Sequence, residues 1–254
     1  MDTPILNKIT ILKVGGAVVE NPESLAQLIR EFASIEGPKV LVHGGGRSAT
    51  AMATRLGIET LMVEGRRVTD DEMLRVVTMV YGGLVNKNIV AQLQAAGVNA
   101  LGLTGADMDI IKSHKRPLKN GIDYGWVGDV DRADGHRLST LLSEGITPVI
   151  APLTHDGEGH LLNTNADTMA QTVACALAPY FQVTLRFAFE KRGVMRDPDD
   201  PESLIPHITE NDFAQLRNEG IVSGGMLPKL ENAFEAIRQG VTQVVIGETL
   251  IEKE

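Results

Sequence analysis

The 254-residue chain has one cysteine, one tryptophan and three tyrosines, and aromatic residues make up 4% of it. A lone cysteine, Cys175, permits no disulfide framework and no thiolate metal site within one chain, so a reducing cytoplasm is the expected setting. Cys175 lies in the helical-looking run ADTMAQTVACALA and reads as a small core residue. No stretch approaches the roughly 18 to 20 apolar residues of a membrane span. The opening MDTPILNKITILKV lacks a basic region followed by a long apolar run, so no signal peptide is expected. Positive charge is also scarce: 24 Lys and Arg stand against 33 Asp and Glu, for a net charge of -9. That argues against nucleic acid or an anionic membrane as the main partner. The run KSHKRPLK, Lys112 to Lys119, is a local exception and reads as a solvated loop.

What is present is alternation. KITILKV, KVLVHGG, VNALGLTG, ITPVIAPL, FQVTLRFAF and VTQVVIG read as strands, rich in β-branched residues and bounded by glycine or proline. Helical patterns fall between them, as in PESLAQLIREFASIE and MLPKLENAFEAIRQG. The helix RSATAMATRLG closes on Gly57 as a C-cap. The run from Asp71 to Gly97 is a long helix broken near Gly82-Gly83, and residues 108 to 130 read as hairpins laid over a sheet edge. Strands alternating with helices of this length predict an α/β fold with a mainly parallel open sheet and helices on both faces. Ligands in such sheets bind beyond the carboxyl ends of the strands. The glycine clusters sit there: Gly15-Gly16 after the first strand and Gly44 to Gly46 after the second.

A glycine turn between a strand end and a helix start can aim several backbone N–H groups at one spot and so hold an anion. Any strand-helix turn tolerates glycine without a ligand, but two such turns at neighbouring strand ends favour an anion site. The pattern matches neither GxxxxGK followed by Ser or Thr nor a GxGxxG opening a helix, so neither a P-loop nor a dinucleotide site is supported. Lys13 ends the first strand beside Gly15-Gly16. Lys229 lies near a helix start after Ser223-Gly224-Gly225, where a cation is out of place unless an anion binds. Asn163, Asn165 and Asp167 crowd the junction LLNTNADTMA. Capping accounts for much of this, yet Asp167 is placed to orient lysines. In VEGRRVTDDEM, Arg66 and Arg67 precede a helix start and suit a carboxylate or phosphate, or form a surface pair. His43 abuts the glycines and is as readily structural as functional. Cations, glycine amides and one carboxylate, without a Ser-His-Asp, Cys-His or zinc set, fit phosphoryl transfer. A carboxylate acceptor is already ionised at neutral pH and needs no general base.

LKVGG, LVHGGG, GRRVT, NTNAD and GGMLPK, in this order, resemble the amino-acid kinase family, and within it the N-acetylglutamate kinase subfamily. GLVNKNIVAQL, ALGLTGAD and YGWVGDV are similar to the same subfamily. The resemblance covers nearly the whole chain. It implies an open three-layer αβα sandwich, with residues 1–165 as the acyl-amino-acid and dimerisation lobe and 166–254 as the ATP lobe. It implies ATP-dependent phosphorylation of the side-chain carboxylate of N-acetyl-L-glutamate in arginine biosynthesis, with Mg²⁺ held mainly by ATP oxygens. By motif, Lys13 and Lys229 would stabilise the transferring phosphoryl group and Asp167 would hold them. Gly44, Gly45, Arg67 and Asn163 would contact the acceptor, and Gly15 and Gly16 the phosphates. Glu190, Gly193 and Ser223 would lie in the segments lining the nucleotide, 190–195 and 221–223.

The chain departs from the family pattern in FAFEKRGVM, where Glu190 follows Phe189 in place of a Ser/Thr-Asp pair. Arg186 inside the apolar strand VTLRFAF is unexplained by pattern. Few residues precede the first strand, which leads to the expectation of a homodimer without arginine feedback. An N-succinyl acceptor would bring a further carboxylate, for which Arg47 and Arg66 are the candidate partners unless both face solvent. A non-catalytic amino-acid sensor of the same fold is the other reading, and both lysines being present speaks against it.

Overall fold

The computed structural model describes residues 7–118, 120–188, 192–197, 199–200, 202–222 and 226–253. The chain opens with β1 (Lys8–Val14), α1 (Gly16–Glu20), α2 (Pro22–Ser34), β2 (Lys39–His43) and α3 (Gly46–Arg55). A short hairpin, β3 (Met62–Val63) and β4 (Arg66–Arg67), leads to α4 (Asp71–Val77). A π-helical stretch, Thr78–Val85, joins α4 to α5 (Asn86–Ala95). Then come β5 (Ala100–Leu103), β6 (Ile111–Lys115), β7 (Gly128–Ala133), α6 (Gly135–Ser143), β8 (Thr147–Ile150), β9 (Leu153–His155) and β10 (Leu161–Asn163). The last part holds α7 (Ala166–Leu177), β11 (Gln182–Phe187), β12 (His207–Ile208), α8 (Glu210–Asn218), α9 (Met226–Arg238), β13 (Gln243–Ile246) and β14 (Thr249–Glu252).

Eight strands form the central sheet in the order β12-β14-β13-β11-β1-β2-β8-β5. Every pairing in it is parallel except β13 with β14. β1 lies between β2 and β11, so Lys13 leaves the sheet at its centre. The expected hairpins at residues 108–130 are β6 and β7, paired antiparallel in a second sheet ordered β10-β9-β6-β7.

Alternation along β1 splits the core in two. Ile9 and Ile11 face one cluster with α6, α7, α8 and α9. Leu12 and Val14 face a second cluster with α2, α3, α4 and α5. The sheet is therefore covered on both faces around β1, β2, β8 and β5. The second cluster takes no described residue from β11, β13 or β14. On that side those strands present polar groups, and Gln243 donates to the Thr184 hydroxyl at 3.1 Å. Arg186 lies in register with Leu12 and is exposed on this open side. An arginine within an apolar strand is thereby accounted for: Leu185 points into the core and Arg186 out.

Helix ends follow the local sequence. Asn21 caps α2 through Glu23 and Ser24 N–H, with Pro22 at the first helical position. Gly57, with φ of 73°, ends α3 as expected. Asn165 accepts from Thr168 N–H and caps α7, which puts Asp167 in its first turn. The break expected near Gly82-Gly83 is not a kink between two helices. It is the π-helical stretch, which runs through both glycines.

Candidate active site

Gly15-Gly16 and Gly44–Gly46 follow adjacent parallel strands, and they touch. A Cβ on Gly16 would lie 3.5 Å from Gly46 N and 3.6 Å from Gly45 N, and one on Gly44 would lie 3.2 Å from Gly16 N. Gly44 N–H is used by Val14 O at 2.9 Å. The Gly16, Gly45 and Gly46 amides have no acceptor among the described residues. Further along the first turn of α3, Ser48 N–H is taken by Glu20, whose carboxylate also accepts from the Ser48 hydroxyl at 2.9 Å. One internal anion thus already sits at the α3 start.

A cleft of about 210 Å³ opens over this turn. Gly44, Gly45, Arg66, Arg67, Tyr81 and Asn163 are among its walls. The Arg67 side chain donates to Gly46 O and to the Thr50 hydroxyl, each at 2.8 Å. Only 8% of Arg67 is exposed; its Nη1 lies 3.4 Å from the Thr60 hydroxyl, and the residue is part of the cleft wall. Asn163 donates to the Thr69 hydroxyl at 3.0 Å, which fixes its amide. Arg66 lies on the cleft wall, half-buried, and no described side chain takes a hydrogen bond or ion pair from it. Burial and the nearby Arg116 cation lower its pKa, and Asp129 and Tyr124 partly offset this. Asp129 itself is bound by Arg116. Arg47 is exposed on α3.

The α7 start stands between this cleft and a smaller cavity. Asn165 and Ala166 line the first, and Asp167, Lys229 and Phe187 line the second. Lys13 Nζ lies 2.7 Å from Asp167 Oδ1. That oxygen is buried and its contact is an ion pair without hydrogen-bond alignment. Lys229 belongs to the same cluster: burial lowers its pKa, the Asp167 charge raises it, and the Lys13 charge lowers it again. The Asp167 carboxylate thus acts on both lysines near the sheet centre, where the β1 strand ends. A phosphoryl group arriving here would meet two ammoniums.

The remaining sequence expectations divide. Gly15 sits in the open, with nothing within 4 Å of a Cβ. Gly193 is a packing glycine, since a Cβ there would meet Thr249 Oγ1 at 2.5 Å. Glu190 and Ser223 lie outside the described residues, as do Phe189, Lys119, Gly224 and Gly225. Within the basic run from Lys112, Lys115 stacks over Trp126 at 4.8 Å and Arg116 binds Asp129. Tyr81 and Asn86, which the sequence reading passed over, both bear on the glycine turn. A Cβ on Gly45 would lie 2.9 Å from Tyr81 Cδ1. Asn86 bonds His43 just before the turn. Two polar side chains inside an apolar helical run were the signal.

The amino acid kinase family model matches residues 8–248. The chain belongs to the amino acid kinase family. Within that family it is 61% identical over 246 residues to the acetylglutamate kinase of Bacteroides fragilis, covering 97% of this chain and 94% of that one. It is 62% identical over 239 residues to the acetylglutamate kinase of Bacteroides thetaiotaomicron, covering 94% and 93%. The acetylglutamate kinase of Cytophaga hutchinsonii is 54% identical over 249 residues, covering 97% and 94%. Among solved structures, a Streptococcus mutans protein matches with a TM-score of 0.76 and 28% identity, over 96% of this chain and 98% of that one. An N-acetylglutamate synthase of Neisseria gonorrhoeae shares the fold, with a TM-score of 0.81 at 20% identity over 97% of this chain and 59% of that one. The amino acid kinase fold thus accounts for the mainly parallel sheet and its flanking helices.

Proposed function

We propose that this kinase transfers the terminal phosphoryl group of ATP to the side-chain carboxylate of N-acetyl-L-glutamate, forming an acyl phosphate in arginine biosynthesis. The observation that carries the reading is the Lys13–Asp167–Lys229 cluster at the join of the two cavities. The acetylglutamate kinase relatives support the acceptor.

The chemistry follows from charge. The acceptor carboxylate is ionised at neutral pH and attacks phosphorus directly, so the site needs no base. An acceptor in the cleft sets its α-carboxylate against Arg67 and its amide against Asn163. Its side chain then points toward the turn amides of Gly16, Gly45 and Gly46. Lys13 and Lys229 offset charge on the phosphoryl oxygens as it passes between oxygens, and Asp167 keeps both ammoniums aimed there. The nearby carboxylate is already committed to lysine, so Mg²⁺ would be held by ATP oxygens, where it cancels phosphate charge. In this reading residues 1–165 form the acceptor lobe and 166–254 the nucleotide lobe, with Gly15 and Gly16 at the phosphates and Glu190, Gly193 and Ser223 on the nucleotide side. We place the protein in the cytoplasm as a homodimer. Exposed Met79, Leu84 and Leu101, on the π-helical stretch and the edge strand β5, support a second copy there. Light scattering at a monomer mass would remove that part.

One observation favours a second acceptor. Arg66, half-buried on the cleft wall with its neighbouring carboxylate taken by Arg116, suits the extra carboxylate of an N-succinyl group. Hydroxylamine trapping of the acyl phosphate, with N-acetyl- and N-succinyl-L-glutamate side by side under the same ATP and Mg²⁺, decides between them. No trapped product with either acceptor would sink the proposed function.

A further inference from the structure

His43 is the most deeply buried titratable group near the site, fully shielded from solvent at the end of β2. The proposed chemistry assigns it nothing. Its ring is held at both nitrogens. Nδ1 lies 2.7 Å from Gly44 O and Nε2 lies 3.1 Å from Asn86 Nδ2. The same Asn86 nitrogen donates to Val149 O at 2.9 Å.

These contacts fix the direction of every proton. Val149 O accepts only, so the Asn86 group facing it is the donor end. Asn86 then gives its second N–H to His43 Nε2, which must be the bare nitrogen. Nδ1 carries the ring proton and donates it to Gly44 O. Reversing the Asn86 amide would set its oxygen against Val149 O. The orientation holds although it leaves Asn86 Oδ1 buried without a partner. Burial, and the Lys87 cation beside it, bring the His43 pKa down to about 4, although the bond to Gly44 pulls the other way, so the ring is neutral at physiological pH.

Gly44 O and Gly45 N–H belong to one peptide unit. In a trans peptide they point in opposite directions. Anchoring the carbonyl on a buried ring therefore turns the Gly45 amide outward, toward the cleft that Gly45 lines. Glycine at 44 and 45 leaves this plane otherwise free to rotate. The π-helical stretch makes the anchor possible. Tyr81 and Asn86 are five residues apart and would stand about 140° apart on an α-helix. The wider i→i+5 turn brings both to one side, Tyr81 beneath Gly45 and Asn86 onto His43.

We infer that His43, held in its Nδ1–H form by Asn86, is a positioning residue that locks the Gly44–Gly45 peptide with the Gly45 amide facing the phosphoryl acceptor. The kinetic arm of its test rests on the proposed function; the spectroscopic arm does not. The full-length protein is labelled with ¹⁵N-histidine, and His43 is identified by its loss in His43→Asn. At pH 7.5 its Nδ1 should give a protonated, pyrrole-type signal and its Nε2 a bare, pyridine-type one. The reverse assignment, or a single averaged signal, overturns the inference. Asn86→Leu removes the N–H that meets Nε2 while Gly44 O still holds the proton on Nδ1, so the pyridine-type Nε2 signal should shift; an unchanged Nε2 signal in that variant also overturns it. In the trapping assay, His43→Leu should lower kcat at least 30-fold with the ATP KM within threefold. His43→Asn keeps an N–H for Gly44 O and should recover kcat to within fivefold of the parent. Equal loss in both variants, with folding intact, overturns the donor role. If His43→Leu does not fold, the spectra and the His43→Asn rate decide. If the parent protein traps no product, the proposed function fails while the spectra still judge this inference.

Discussion

Replacing Asp167 by Asn tests the lysine cluster with almost no change of shape. The carboxylate lies 2.7 Å from Lys13 Nζ. Two unit charges that far apart attract by ~6 kcal/mol at an effective dielectric near 20 and by ~1.5 kcal/mol in bulk water. The side chain of Asp167 is 41% exposed and that of Lys13 16%, so solvent screens the pair toward the lower figure. A loss of about 2 to 3 kcal/mol is the reasoned outcome, equivalent to a ~30- to ~150-fold fall in kcat if the lysines act at the transition state. Lys229 feels the change too. Asp167 is the group that raises its pKa against burial and Lys13. Without that charge the pKa falls further, the ammonium is lost at lower pH, and the alkaline limb of the kcat profile moves to lower pH. Hydroxamate formation at saturating ATP and acceptor, from pH 6.5 to 9.5, measures both effects. The melting temperature should drop by no more than about 4 °C, because a partly exposed pair in a chain of this size contributes little to folding. A variant that keeps kcat within threefold, or whose alkaline limb stays in place, would refute the shared-counterion argument.

Three further outcomes concern Gly45, His43 and Cys175. Gly45→Ala pushes a Cβ to 2.9 Å from the Tyr81 ring, so the acceptor KM should rise about tenfold, as overpacking of this kind costs about 1 to 3 kcal/mol; an unchanged KM would show that the turn moves freely. His43 has a pKa near 4 when folded against 6.5 for the ordinary side chain, so the unfolded chain takes up the proton first as pH falls. Its contribution is complete above pH 6.5 and is lost between 6.5 and 4, by about 3 kcal/mol; urea unfolding at pH 7.5 and 4.5 should show a steeper loss than in His43→Asn. Burial pushes the Cys175 thiol up to about 11, so thiol reagents at pH 7.5 should modify it about 100-fold more slowly than a free thiol until the protein is denatured.

The α/β alternation and both glycine turns were legible because they are local: β-branched runs end at glycine, and a strand end is a strand end whatever packs on it. The meeting of Lys13, Asp167 and Lys229 was legible as residue types out of place, a cation at a helix start above all. What could not be read was direction. Arg67 read as a partner for an anion or as half of a surface pair, and its bonds to Gly46 O and Thr50 depend on how β4 packs on α3. Arg186 looked misplaced because the pattern assumed helices on both sides of every strand. The π-helical stretch leaves no trace in periodicity over so few residues, and so Asn86 could not be placed on His43. Residues 190 and 223 were matters of motif alone and lie outside the described residues.

Glu20 has a consequence of its own. By occupying Ser48 N–H it dulls the pull that the α3 terminus exerts on anything negative. A phosphate arriving at these turns meets a landing place already half quieted. In the proposed reading it would be held by three amides and two ammoniums and not by the full strength of a helix end. A catalyst that must hand a group onward gains nothing from gripping it at rest. On the proposed reading the carboxylate on α1 would loosen the hold on a bound phosphate and favour departure of the product over its lingering.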